Sequence, residues 1–305
     1  MIARGRKAQL EDADAVSDPI DTLQVCIQVC DSLSDLREWA KASQKNVQSA
    51  PVLGADNLMD AKKANRTEWR DFPDAVIVHS TGTIAEHIDY QAAKSGDVEA
   101  ALRLVDDFLT REALLSIKAL IDKGKGEMIV AVHAEELSGR NQIPIVFATL
   151  LESYLGVAVD EDIVQAERAY RTGADGFGRL VKKVLFEGTV IADARYLIVD
   201  DAVTQGGTIA DLKGYIEENG GVVIGVVALM GKPHSAKLAI TKATLGQLRK
   251  AAGQSLEVWW YEQFGYDFSR LTESEARYIA KQIHRSGIDA ARDRLFAARQ
   301  TEYNR

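Results

Sequence analysis

At 305 residues, 46% apolar and 27% charged, the chain has the make-up of a globular protein with a sizeable core and room for accessory segments. A net charge of -8 argues against a broad nucleic-acid footprint, and no apolar run approaches the roughly 20 residues that span a bilayer. Arg4, Arg6 and Lys7 lead into no apolar stretch, so no secretory leader is expected and the expected setting is the cytoplasm. Cys26 and Cys30 are the only cysteines; with no further ligands nearby they suggest neither a metal site nor a disulfide.

The first 18 residues are polar and expected to be disordered. Leu23, Ile27, Cys30, Leu33, Leu36 and Trp39 then recur at helical spacing over residues 20–42. Residues 43–70 read as a polar linker. The β-branched run at 75–78 follows Pro73 and predicts a strand, and Ser80-Thr81-Gly82-Thr83 predicts a turn. Residues 90–123 predict two helices broken near Ser95-Gly96-Asp97, with Asp97 as N-cap. Beyond Gly126 the pattern becomes strand, loop, helix. The run at 128–132 is apolar throughout, as a strand covered on both faces should be. A helix is predicted over 144–155, short strands at 162–165 and 184–186, a buried strand at 196–199, a helix over 208–219 and a buried strand at 222–229. A basic helical stretch, an aromatic cluster between Trp259 and Phe268 and a charged helix close the chain. The alternation implies an α/β fold with a parallel sheet flanked by helices and with helical N-terminal and C-terminal additions. Four regions are expected: 1–70 as a partly disordered extension with one helix, 71–126 as an accessory hood and helical segment, 127–232 as the core, and 233–305 as a C-terminal helical region.

The chemistry concentrates where the clearest buried strand, Tyr196-Leu197-Ile198-Val199, runs into Asp200-Asp201-Ala202-Val203-Thr204-Gln205-Gly206-Gly207-Thr208. A strand of this kind delivers the next residues to the carboxyl end of the sheet, where open α/β folds bind ligands. Adjacent carboxylates there can accept hydrogen bonds from sugar hydroxyls. Two glycines permit close backbone approach, and a helix starting at once behind them aims amides and the positive helix end at one point. Acids followed by such a cradle suit a phosphorylated sugar.

This stretch resembles the 5-phosphoribosyl-1-pyrophosphate (PRPP) signature of type I phosphoribosyltransferases, in its adenine-type version. Gln205 stands where that version has Thr, exchanging a hydroxyl for an amide that can still donate. The resemblance covers residues 127–232 and implies the type I phosphoribosyltransferase fold. It implies that Asp200, Asp201, Ala202, Val203, Thr204, Gln205, Gly206, Gly207 and Thr208 hold the ribose and 5-phosphate. It further implies a pyrophosphate loop with Ser138, Gly139, Arg140 and Asn141, and a mobile loop carrying Arg168, Tyr170 and Arg171. Arg140 would favour the departing charge with its planar donors. Asp200 and Asp201 would contact Mg²⁺ through PRPP and water, with His133, Glu135 and Glu136 as further candidates for a water-mediated contact. Residues 72–90, the aromatic cluster, or both would form the hood over the acceptor. The implied activity is transfer of the phosphoribosyl group to a nitrogenous acceptor, a nucleobase or related heterocycle, with release of pyrophosphate and with Asp200, Asp201 and Arg140 as catalytic residues. A non-catalytic PRPP- or nucleotide-sensing regulator would keep the same site. The partners implied are small molecules and a second copy of the chain, with no membrane and no nucleic acid.

Overall fold

The computed structural model describes residues 65–121, 126–133, 141–166 and 176–303. The expected helix over 20–42 lies outside them. Five strands form one parallel sheet: β1 (Val76–Ser80), β2 (Glu127–Ala131), β3 (Val159–Asp160), β6 (Arg195–Val203) and β7 (Val222–Gly231). Their order across the sheet is β1-β7-β6-β2-β3. The remaining two strands, β4 (Val164–Gln165) and β5 (Phe186–Glu187), pair antiparallel with each other. The short strands foreseen from sequence are therefore a separate ribbon beside the main sheet.

The pleat sorts the core. On β2 and β6, Ile129, Ala131, Leu197 and Val199 pack with α3 (Val98–Phe108), α4 (Arg111–Lys118) and α5 (Ile143–Leu155). The intervening Val130, Tyr196 and Ile198 pack on the opposite side with α7 (Gly207–Glu218). Alternate residues of a strand face opposite ways, so covering both faces demands the unbroken apolar runs seen in the sequence. The fold is the expected parallel sheet flanked by helices, with helical additions.

Several local expectations change. Ser80 ends β1, and residues 81–83 begin a helix, α1 (Thr81–Ala85), rather than a turn. Residues 90–118 hold three helices, α2 (Tyr90–Lys94), α3 and α4. Asp97 caps α3 as expected, accepting from the Ala100 amide at 3.0 Å, while Thr110 caps α4 and so divides the second predicted helix. β1 is hydrogen-bonded to β7 inside the main sheet, so the residues assigned to an outlying hood contribute a strand to the core.

The polar segment ending at residue 70 is anchored at its end. Arg66 and Trp69 are buried against α7, and the Trp69 indole donates to the Leu271 carbonyl at 2.9 Å. C-terminal to the sheet, α8 (Lys242–Phe264), α9 (Glu273–Ser286) and α10 (Ile288–Tyr303) form a third core with α6 (Gly176–Val181). Trp260, Phe264, Tyr266 and Phe268 are fully buried in or beside that core, so this part of the aromatic cluster is packing rather than a hood.

Candidate functional site

β6 continues past the expected end of the strand. Asp200 and Asp201 lie within it, and Ala202 and Val203 still pair with Met230 and Gly231. Only Thr204, Gln205 and Gly206 form the turn, and α7 begins at Gly207. Gly206 takes a left-handed φ of 77° at the N-cap position, the conformation that glycine adopts without cost. No side chain caps the helix. Its first turn therefore points amides and the positive end of the helix outward, as an anion site requires. The turn is braced from behind. The Thr272 hydroxyl donates to the Gln205 carbonyl at 2.5 Å, and a Cβ on Gly206 would lie 2.6 Å from the Leu238 side chain.

Both acids are buried, Asp200 to 8% exposure and Asp201 to 7%. Burial, reinforced by the charge of Asp201, holds the Asp200 carboxyl well above the usual carboxylate range. One Asp200 oxygen also accepts the Asp201 amide at 2.8 Å. Asp201 Oδ2 accepts from Lys94 Nζ at 2.5 Å and from Asn141 Nδ2 at 3.0 Å. Asn141 was expected in the pyrophosphate loop; here it binds the acid pair and also caps the approach to α5 by accepting the Ile143 amide at 3.2 Å. Lys94 carried no expectation. Nothing local in Tyr90-Gln91-Ala92-Ala93-Lys94 marks it, because its partner lies 107 residues away.

Ser138, Gly139 and Arg140 lie outside the described residues, as do Glu135, Glu136, Arg168, Tyr170 and Arg171. His133 is described; its Nδ1–H donates to the Ala131 carbonyl at 3.0 Å. A divalent ion seated on the acid pair does not fit this arrangement. An ammonium and an amide already occupy Asp201 Oδ2, and the described residues contain no cluster of three or more His, Cys, Asp or Glu placed to hold a metal.

An open groove of about 420 Å³ runs along the carboxyl ends of β1 and β7, lined by Ile77, Val78, His79, Ser80, Gly231 and Pro233. Strand register ties it to the motif: Ser80 pairs with Gly231, and Gly231 with Val203. Groove, acid pair and glycine turn thus share one edge of the sheet. The His79 ring Nδ1 accepts the Ser80 amide at 3.0 Å, which fixes the ring proton of the neutral imidazole on Nε2.

No family model matches the chain. Protein TraN of Escherichia coli is 40% identical over 243 residues, 80% of this chain and 53% of that protein. An uncharacterized protein of Haemophilus influenzae is 41% identical over 175 residues, 57% of this chain and 38% of that one. The chain spans about half the length, or less, of these curated relatives. Similar solved structures include a Saccharomyces cerevisiae adenine phosphoribosyltransferase, 19% identical over 46% of this chain and 72% of that one, with a TM-score of 0.30. A Staphylococcus aureus hypoxanthine phosphoribosyltransferase is 16% identical over 49% of this chain and 75% of that one, at 0.32.

Proposed function

We propose that the chain is a PRPP-dependent phosphoribosyltransferase of the type I fold, acting on a nitrogenous heterocycle. One observation carries this reading. Two buried acids at the end of a central parallel strand lead through a three-residue glycine turn into a helix that no side chain caps. The helix start receives the 5-phosphate on its amides, and Asp200 and Asp201 receive the ribose hydroxyls. The groove beside Gly231 receives a flat acceptor against Ile77 and Val78, with His79 and Ser80 as polar contacts. The acceptor nitrogen forms a bond to C1 as the bond from C1 to pyrophosphate breaks, and the proton of the acceptor N–H passes to solvent water. Positive charge grows on the sugar in that step, and the acids favour it; pyrophosphate carries away the bonding electrons. Catalysis then rests on positioning and electrostatics. Arg140 and the loop with Arg168, Tyr170 and Arg171 complete the proposed site, and a cytoplasmic homodimer is its proposed setting.

A second reading has support of its own. Asp201 is already paired with Lys94 and Asn141, which suits a protein that binds PRPP or a nucleotide as a sensor without turning it over.

Thermal denaturation tests the common part. PRPP in magnesium buffer should raise the melting temperature, and Asp200→Asn with Asp201→Asn should remove the shift. No shift in the unmodified protein rejects both readings. Pyrophosphate release across a panel of nucleobases then separates them: release identifies the enzyme, and binding without release favours the sensor.

A further inference from the structure

Lys94 is held in place by more than its partner. α2, which carries it, is tied to the start of α5 by a hydrogen bond from the Gln142 amide to the Ala93 carbonyl at 3.1 Å. The same junction presents Asn141 to Asp201. Residues 94, 141 and 201, far apart in sequence, are thus fixed at one carboxylate. A lysine on a five-residue surface helix would ordinarily extend its ammonium into water. Lys94 instead turns it inward, with its side chain 36% exposed, onto a carboxylate only 10% exposed. Tyr90, one turn earlier, sets its ring 6.0 Å from the ammonium. Burial works to lower the Lys94 pKa, but the charge and hydrogen bond of Asp201 outweigh it and hold the group above its ordinary value.

We propose that Lys94 is the resident cation of this acid pair, a positioning residue that occupies the place at Asp201 where a divalent metal would otherwise sit. The idea rests on the ligand site proposed above and changes its chemistry. Lys94 brings Asp201 a countercharge from within the chain, at direct hydrogen-bond distance. A divalent ion arriving at Asp201 would have to expel an ammonium already hydrogen-bonded there, and would meet its positive charge at close range. The ribose and its 5-phosphate are consequently bound without a metal on the protein, and any magnesium that enters does so on the ligand's own pyrophosphate.

Manganese(II) titration of the full-length protein, followed by electron paramagnetic resonance without nucleotide or PRPP, tests this directly. The unmodified protein and Lys94→Arg should leave the free-ion signal undiminished at equimolar metal. Lys94→Gln, which removes the charge and keeps a donor, should bind manganese about tenfold or more tightly than either. Asp201→Asn in that background should remove the gain, which assigns the new site to Asp201. Binding of manganese to the unmodified protein that Asp201→Asn abolishes would overturn the proposal. So would the absence of any gain in a Lys94→Gln protein that circular dichroism shows to be folded. Ribose 5-phosphate in EDTA gives an independent arm. It should still shift the melting temperature of the unmodified protein; a shift that appears only when metal is restored also counts against Lys94. If neither ribose 5-phosphate nor PRPP shifts any variant, the ligand assignment falls, while the manganese result stands or fails by itself.

Discussion

Asp200 shows what the proposed site costs the fold. It is an acid held in a place that favours its neutral form, first by burial and then by the neighbouring Asp201. A carboxyl whose folded pKa is raised binds its proton more tightly in the folded than in the unfolded chain. Its contribution to stability is fully present below the ordinary aspartate range and is lost as the pH rises through the folded value. Asp200→Asn removes that loss. At neutral pH and without ligand the variant should melt a few degrees above the unmodified protein, since about 1 kcal/mol moves the midpoint by roughly 2–4 °C at this size. The gap should close as the pH falls below the ordinary aspartate range, while the response to PRPP weakens. Melting curves across pH check both trends, and equal midpoints at all pH values would show that Asp200 carries no such strain. The importance of Asp200 and Asp201 could be read from sequence because the signal is local: four apolar residues before them, glycines after. The partners of Asp201 could not. Lys94 is an ordinary surface residue by pattern, and only the packing of α2 on the start of α5 brings it to the acid.

At the scale of elements, the central device is the passage from β6 into α7, and it is held from outside. Arg66 is buried against both flanks: its guanidinium reaches Asp211 on α7 at 2.8 Å and Glu275 on α9 at 2.6 Å. It also approaches the Gly207 carbonyl at 3.4 Å, in the first turn of α7. Glu275 is itself committed to the capping box that starts α9, bonding the Thr272 amide at 2.9 Å. Removing the cation takes from two buried carboxylates the charge they share. Arg66→Met should therefore lose roughly 3–5 kcal/mol, the usual consequence of breaking a buried pair by deleting one partner. Denaturant titration measures it; a loss within about 0.5 kcal/mol, the ordinary range for exposed surface positions, would mean that the segment around Arg66 is not a brace. Sequence pattern could predict β6 and α7 as elements, because period and end signals are carried by adjacent residues. It could not predict this clasp, because Arg66 sits in a polar stretch whose composition matches a solvated linker. The short β1 shows the same limit. Its β-branched run marks a strand, but nothing in four residues reveals that it closes one edge of the main sheet beside β7.

For the molecule as a whole, this clasp bears on where the chain can be divided. By sequence, residues 233–305 look like a helical addition, and most of their apolar side chains do form a separate core, shared with α6. Yet Leu238 and Ala239 belong to the core beneath α7, and the Ala236 carbonyl accepts the Ala75 amide at 2.8 Å just before β1. The Leu271 carbonyl accepts the Trp69 indole N–H, and Thr272 braces the glycine turn. These contacts cross the boundary at the proposed ligand site, so the C-terminal helices complete that site's scaffold. A chain ending at residue 232 should consequently lose more than its last helices. Trp69 would lose the acceptor of its indole N–H and Arg66 its Glu275 partner, Gly206 would lose its backing, and apolar surface beside α7 would face water. The expected result is a product with no cooperative thermal transition and strong binding of a hydrophobic dye, unresponsive to PRPP. A truncated chain that melted cooperatively and still gained stability from PRPP would instead make residues 127–232, with the strand before them, a self-sufficient unit. The helical additions would then be free to serve a different purpose from the sheet they cover.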